Sequence, residues 1–215
     1  MQIEAVLFDL DGTILYTNEL IINSFKHTLK EILNLDISRE EIVTSFGEPL
    51  SDTLSKYSPD RLDDLIKTYR EYNLRHHDSQ TNIFPDVTST LKTLKKSGFK
   101  LGIVTSKINH VALKGLDLFE LNDYFDCFVG ANDTAKHKPD PEPLLTALSK
   151  LNIKPENALY IGDSPYDIQC GKNARTFTAA VEYSEYPLER LLECNPDFIL
   201  KSLSGIIEIL TAYSK

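Results

Sequence analysis

The feature that most constrains the fold of this chain is a series of short apolar runs separated by helical patterns. The runs are apolar at almost every position, as in parallel strands covered on both faces, whereas a half-exposed strand would alternate with polar residues. A chain that alternates such strands with helices forms an α/β fold with a doubly wound parallel sheet. We predict strands at the runs Ala5–Phe8, Lys100–Thr105, Cys127–Gly130, Ala158–Gly162 and Phe177–Val181.

The segment between the first two predicted strands has a different character. From Tyr16 to Thr81 the sequence is polar and helix-patterned throughout, and apolar residues such as Leu20, Phe25 and Leu29 recur on one helical stripe. We therefore expect an all-helical insertion at residues 16–81 and a sheet domain made of residues 1–15 and 82–215.

Composition and charge argue against several classes of function. The net charge of −9 opposes binding to nucleic acid, which requires a basic face. No apolar run approaches the ~20 residues of a membrane span, and the N-terminus lacks the pattern of a secretion signal. The three cysteines are scattered and odd in number, so we expect no disulfide framework. The sequence favours a cytoplasmic protein with neither a nucleic-acid nor a membrane partner.

The residues just past the predicted strands are the best candidates for a functional site, because open parallel sheets bind ligands at the carboxyl ends of their strands. Carboxylates, hydroxyls and a lysine occupy these positions. They are Asp9 and Asp11 after the first strand, Thr105 and Ser106 at the end of the second, Lys138 beyond the third, and Asp163 and Asp167 after the fourth.

These residue types have a common chemical logic. Clustered carboxylates raise one another's pKa unless a cation neutralises them. All four aspartates offer hard oxygen donors, with no histidine or cysteine pair among them, which favours Mg²⁺ over zinc. A metal ion with a lysine and a hydroxyl forms a pocket for a phosphoryl group. One aspartate there can attack phosphorus to form an aspartyl-phosphate, and a second, two residues further on, can transfer protons.

Each signal alone also has a plain structural interpretation. Asp11 and Gly12 form a common turn pair, and Thr105 could cap a helix. Lys138 could be a solvated surface lysine, and Asp163 could be a helix N-cap. Their occurrence together at the carboxyl edge of successive strands favours phosphoryl transfer.

Four motifs in this order resemble those of the haloacid dehalogenase superfamily: FDLDGT at Phe8–Thr13, VTS at Val104–Ser106, Lys138 in KPDP, and GDSPYD at Gly162–Asp167. The resemblance implies a Rossmann-like core with a helical cap at residues 16–81. It implies that Asp9 is the nucleophile and a metal ligand, and that Asp11 is the acid/base, with its backbone carbonyl also on the metal. Phosphate contacts from Thr105, Ser106 and Lys138 follow from it, as do magnesium contacts from Asp163 and Asp167.

Within the superfamily the chain is similar to the phosphoglycolate phosphatase and bacterial pyrophosphatase-like group. That similarity implies a small phosphate substrate, either a phosphoglycolate-type monoester or inorganic pyrophosphate. Two alternatives stay open: a sugar phosphomutase of the same superfamily, and a phosphoacceptor signalling domain that does not hydrolyse its aspartyl-phosphate.

The cap is expected to select the substrate, because the core chemistry is generic. The loop SFGEPLSDT at Ser45–Thr53 is a candidate lid, with Gly47 and Glu48 as candidate substrate contacts; a simple turn between helices is the alternative. Two positions depart from the family pattern. Tyr16 stands where many relatives carry aspartate, and Arg175 stands where they carry glycine, so we expect a rebuilt turn at Arg175.

Overall fold

The computed structural model describes residues 3–213 and contains a parallel sheet with helices on both faces, as predicted. The strands are β1 (Ala5–Phe8), β2 (Leu15–Tyr16), β3 (Asn82–Ile83), β4 (Lys100–Val104), β5 (Cys127–Val129), β6 (Ala158–Gly162), β7 (Phe177–Val181) and β8 (Phe198–Leu200). The helices are α1 (Asn18–Leu33), α2 (Arg39–Val43), α3 (Leu50–Ser55), α4 (Leu62–Gln80), α5 (Val87–Lys96), α6 (Asn109–Leu118), α7 (Glu142–Leu151), α8 (Pro165–Ala174), α9 (Leu188–Glu193) and α10 (Ile206–Tyr213).

Six of the strands form one parallel sheet in the order β5-β4-β1-β6-β7-β8. Strand β1 lies in the middle, where Phe8 is paired with Ile103 on one side and with Ile161 on the other. The strand order reverses beside β1, so the carboxyl ends of β1, β4 and β6 border the crevice in which such sheets bind ligands.

Burial of both sheet faces explains why the strand sequences are apolar throughout. In β1, Val6 and Phe8 pack into one core cluster with α5, α6 and α10, whereas Ala5 and Leu7 pack into a second cluster with α7 and α8. Since neighbouring side chains of a strand point to opposite faces, each position of β1 needs an apolar residue. The apolar runs predicted this arrangement correctly.

The segment between β2 and β3 is helical, as expected, and has a core of its own. Helices α1 to α4, the cap helices, bury a cluster that includes Ile22, Phe25 and Leu65. β2 and β3 form an antiparallel pair at the base of the segment, with Tyr16 opposite Asn82. The division into residues 16–81 and a core of residues 1–15 and 82–215 stays a prediction.

The structure differs from the sequence-based expectation at the β2–β3 pair, which was not expected, at β8 and at the turn of Arg175. Strand β8 was not expected, because its short FIL run buries only Leu200. The expectation of a rebuilt turn at Arg175 is wrong: Arg175 adopts the left-handed conformation (φ 63°) in which relatives place glycine. Its N–H donates to the carbonyl of Lys172, and the next N–H donates to Gly171, so C-terminal hydrogen bonds of α8 hold the residue there.

None of the helices within residues 3–213 is long and apolar enough to cross a membrane.

Candidate active site

A cavity of about 330 Å³ lies between the carboxyl ends of the central strands and the cap helices. We define its floor as the sheet-domain residues around Asp9, Asp11, Thr105 and Asp163, and its roof as the loop Ser45–Ser51 with the facing sides of α1 and α4. Site residues predicted in the sheet domain and the predicted lid loop thus line the same cavity.

Three carboxylates converge on the floor. Asp9, Asp163 and Asp167 each place an oxygen within 4.8 Å of the others, and all three are buried. Two glycines permit this approach. A Cβ atom on Gly12 would lie 2.1 Å from Asp163 Oδ2, and one on Gly162 would lie 2.2 Å from Asp167 Cβ. The glycines of both aspartate motifs therefore have a steric role.

Lys138 is the buried cation of this cluster. Its ammonium donates to Asp9 Oδ1 and to Asp167 Oδ1, each at 2.6 Å. Asp167 is fixed further, because it accepts from the Tyr160 hydroxyl at 3.1 Å and, through its other oxygen, from the N–H and hydroxyl of Ser164. Both oxygens of Asp167 are thus occupied by protein donors.

The electrostatics of the cluster favour an additional cation. The pKa of Asp9 is raised to about 7, because burial and the charge of the neighbouring Asp167 outweigh the opposing effect of Lys138. Burial and the charge of Asp9 also raise the pKa of Asp163 well above its usual value. In Lys138, the two carboxylates outweigh burial and hold the ammonium pKa above its ordinary value. One lysine therefore does not balance three buried carboxylates.

The donor set fits a magnesium ion. Asp9 Oδ2 and both carboxylate oxygens of Asp163 accept no hydrogen bond from any residue in the described range 3–213, although both side chains are buried. Both residues line the cavity, and carboxylate oxygens without a protein donor there can bind a hard, oxygen-seeking cation. Asp9 and Asp163 offer free oxygens to such an ion, whereas the oxygens of Asp167, the third carboxylate of the group, already accept hydrogen bonds.

The carboxylate of Asp11 lies outside this group of three. Its Oδ1 accepts from the Thr17 hydroxyl and from the Lys107 ammonium, each at 2.6 Å. Both donors were missed by the sequence analysis. The position of Lys107, two residues beyond Thr105 at the end of β4, was the available signal, because it also places this lysine at the carboxyl edge of the sheet.

The two predicted hydroxyl residues have different surroundings. Thr105 lines the cavity, and its hydroxyl accepts from the N–H of Lys107 at 3.2 Å. The Ser106 hydroxyl instead donates to the carbonyl of Gly47 at 2.9 Å, so it joins the floor to the roof.

The roof loop is held by a small set of polar contacts. Gly47 adopts a left-handed conformation (φ 90°), and a Cβ atom there would lie 2.5 Å from the Ser164 hydroxyl. Glu48 accepts from Thr53, Lys56 and Tyr166. Burial would raise the pKa of Glu48, but these donors lower it below the usual range. Both residues line the cavity, as the lid hypothesis requires.

The family follows from comparison with known proteins. The sequence model of the family described as haloacid dehalogenase-like hydrolase matches residues 6–181 of this chain, and these residues contain all four motifs. The chain therefore belongs to this family, and the predicted class of enzyme, a hydrolase, is confirmed.

Curated relatives extend over the whole chain. It is 43% identical over 215 residues to the pyrophosphatase PpaX of Anoxybacillus flavithermus, with complete coverage of both proteins. It is 46% identical over 210 residues to the PpaX of Bacillus pumilus, covering 98% of this chain and 97% of the relative. Among solved structures, a "putative phosphoglycolate phosphatase" from Lactobacillus plantarum has a TM-score of 0.89 at 26% identity, covering 97% of this chain and all of its own.

Proposed function

We propose that this protein is a Mg²⁺-dependent phosphatase that hydrolyses inorganic pyrophosphate through an aspartyl-phosphate on Asp9. The observation that carries the proposal is the state of the Asp9 carboxylate: Asp9 lines the cavity, one of its oxygens is held by Lys138, and the other accepts from no donor within residues 3–213. The choice of pyrophosphate rests on the full-length relatives named pyrophosphatase. A phosphoglycolate-type monoester is the second candidate, supported by the similar structure from L. plantarum.

In the first half of the reaction, a carboxylate oxygen of Asp9 forms a bond to phosphorus. The bond from that phosphorus to the bridging oxygen breaks, and its electron pair stays on the departing phosphate. Asp11 gives its proton to the departing oxygen, for which its position beside the cavity is suitable. Thr105 and Lys138 stabilise the transferred phosphoryl group and the nucleophile.

In the second half, Asp11 takes a proton from water, and the water oxygen attacks the phosphorus of the aspartyl-phosphate. The bond between phosphorus and the Asp9 oxygen breaks, so the carboxylate is regenerated and the second phosphate leaves. The roof limits access of bulk water to the floor while the intermediate exists.

Asp9 and Asp163, with the backbone carbonyl of Asp11, are the groups that we assign to Mg²⁺. The ion, when bound, would supply positive charge to the phosphate oxygens and to the buried carboxylates. Asp167 acts instead by holding Lys138, because both of its oxygens already accept hydrogen bonds. We also assign the protein to the cytoplasm, where its three free cysteines remain reduced.

A substrate panel tests the proposal. Phosphate release is measured with Mg²⁺ on pyrophosphate, 2-phosphoglycolate and glucose 1-phosphate, for the wild type, for Asp9→Asn and for the exposed control Asp36→Asn. We expect pyrophosphate to be preferred and release to fall at least ~10⁴-fold in Asp9→Asn only. Undiminished release from Asp9→Asn would refute the nucleophile. Isomerisation of the sugar phosphate without free phosphate would identify a mutase, and a long-lived phosphoprotein would identify a phosphoacceptor.

A further inference from the structure

We propose that Lys107 and Asn18 bind the departing phosphate of pyrophosphate, and that they select this substrate over monoesters with an uncharged leaving group. The inference rests on the proposed function and assigns a part of the cavity that the four motifs do not use.

Lys107 is a partly paired cation on the cavity wall. Its ammonium lies 2.6 Å from Asp11 Oδ1, its side chain is 11% exposed, and it contacts no other carboxylate among the described residues. An ammonium has three N–H donors, so donors remain for a ligand. Lys138 differs, because it is buried between two carboxylates that accept from two of its three donors.

Asn18 adds an unsatisfied amide to the same wall. It is the first residue of α1, it is 2% exposed, and it lines the cavity. Its Oδ1 is buried and has no hydrogen-bond partner in the described part of the chain. A buried amide oxygen without a partner is costly, so its presence in the cavity wall indicates a ligand. The two ends of an amide exchange by rotation, which lets Nδ2 donate to an anion.

The two residues are brought together by Asp11. Thr17, the neighbour of Asn18, donates to the same oxygen of Asp11 that accepts from Lys107. Lys107 therefore contacts the group that we assign as proton donor to the leaving oxygen, and Asn18 directly follows the other residue that contacts it. The start of α1 adds the positive end of a helix dipole, which favours negative charge.

The chemistry of the leaving group explains the selection. When the bridging bond breaks, the departing phosphate carries charge on oxygens that face Asp11, and Lys107 neutralises this charge as it develops. A leaving alcohol or phenol presents no phosphate to Lys107. A lysine that only orients Asp11 would instead assist all substrates equally.

The test compares two substrates. We measure kcat/KM with Mg²⁺ on pyrophosphate and on p-nitrophenyl phosphate for Lys107→Met, Lys107→Arg, Asn18→Ala and the control Lys114→Met, whose lysine pairs with Asp78 away from the cavity. For pyrophosphate we expect a loss of roughly 100-fold in Lys107→Met and roughly 10-fold in Asn18→Ala, with partial recovery in Lys107→Arg. For p-nitrophenyl phosphate we expect losses roughly tenfold smaller, because Lys107 acts on that substrate only through its contact with Asp11.

A binding measurement covers the case in which a variant loses stability. Calorimetric titration with methylenediphosphonate should show affinity falling at least roughly tenfold in Lys107→Met, while affinity for inorganic phosphate changes little. Equal losses on both substrates, or unchanged affinity for the diphosphonate, would overturn this inference and leave the phosphatase intact. A wild type that hydrolyses monoesters but not pyrophosphate would overturn the proposed substrate as well.

Discussion

The floor and the roof of the cavity hold their polar groups in different ways. On the floor, Lys138 and Asp9 are far apart in sequence, yet they form a buried 2.6 Å ion pair. On the roof, Glu48 is paired with Lys56, which is largely exposed, and the loop meets the sheet domain through single hydrogen bonds such as that of Ser106. Exposed pairs contribute little, whereas breaking a buried pair is costly. The floor is therefore fixed by its own interactions, and the roof is attached by contacts that can be exchanged.

The largest effect should follow from removing the cation of the floor. Lys138→Met leaves two buried carboxylates without their shared partner, so we expect the free energy of unfolding to fall by about 3 kcal/mol or more and activity to be lost. Urea unfolding and phosphate release measure the two effects. Lys136→Met, at a largely exposed position, is the control. A stable Lys138→Met variant would show that the floor is not fixed by this pair.

A pH experiment sharpens the description of the floor. In metal-free protein, burial raises the pKa of Asp9 from 3.8 to about 7. The folded state then binds a proton that the unfolded chain releases, so Asp9 lowers the free energy of unfolding as pH rises from about 4 to 7. Asp9→Asn removes this dependence of the free energy of unfolding on pH, because asparagine does not titrate in this range. With chelator, we expect the free energy of unfolding of the variant to exceed that of the wild type by about 4 kcal/mol at pH 8, and the difference to vanish below about pH 4.

Urea unfolding of both proteins across this pH range measures the difference. Magnesium at pH 8 should stabilise the wild type more than the variant, because the ion binds the folded carboxylates. A difference that stays constant with pH would contradict the account of Asp9.

A comparison of Gly47, in the roof, with Gly98, outside it, separates the effect of backbone strain from that of a steric contact. Gly47 and Gly98 both have left-handed backbones, but a Cβ atom meets Ser164 only at Gly47 and meets nothing within 4 Å at Gly98. Either change to alanine should cost about 1 kcal/mol through strain. Only Gly47→Ala should also displace the roof, raising KM for pyrophosphate roughly tenfold. Thermal unfolding measures the stability of both variants, and steady-state kinetics measures their KM values. Equal KM values in the two variants would show that the roof loop does not contribute to substrate binding.

The smallest effect is expected at Tyr186. Its hydroxyl donates to the carbonyls of Thr44 and Phe46 and so joins the sheet domain to the start of the roof. Tyr186→Phe should cost about 1 kcal/mol of stability or less, with a change in KM of roughly threefold. Tyr124→Phe is the control, because the Tyr124 hydroxyl has no hydrogen bond within residues 3–213. Equal behaviour of both variants would show that the Tyr186 hydroxyl does not hold the roof.

The sequence predicted the floor better than the roof for a physical reason. Asp9 and Asp163 directly follow apolar strands, so strand periodicity alone assigns them to one edge of the sheet. The contact of Lys107 with Asp11 joins two strand ends and was within reach of the same argument. The contact of Ser106 with Gly47 depends on how the cap helices dock, and local patterns carry no signal for it.

The turn at Arg175 shows a second limit of sequence patterns. Glycine preference at a left-handed position reflects a cost of about 1–2 kcal/mol for other residues. Hydrogen bonds to the carbonyls of Lys172 and Gly171 hold Arg175 in the left-handed conformation. The general preference for glycine at such a position therefore did not predict the backbone conformation here.

The short β2–β3 ribbon makes the helical insertion exchangeable. The chain enters at Leu15 and Tyr16 and returns at Asn82 and Ile83, which are paired residues of adjacent strands. An inserted segment whose ends lie side by side can be replaced without altering the length of any sheet connection. All residues of the three-carboxylate cluster and Lys138 lie outside the exchanged segment. A new substrate preference can therefore be grafted onto an unchanged reaction centre, provided that the replacement supplies its own equivalents of Asn18 and of the Thr17 hydroxyl.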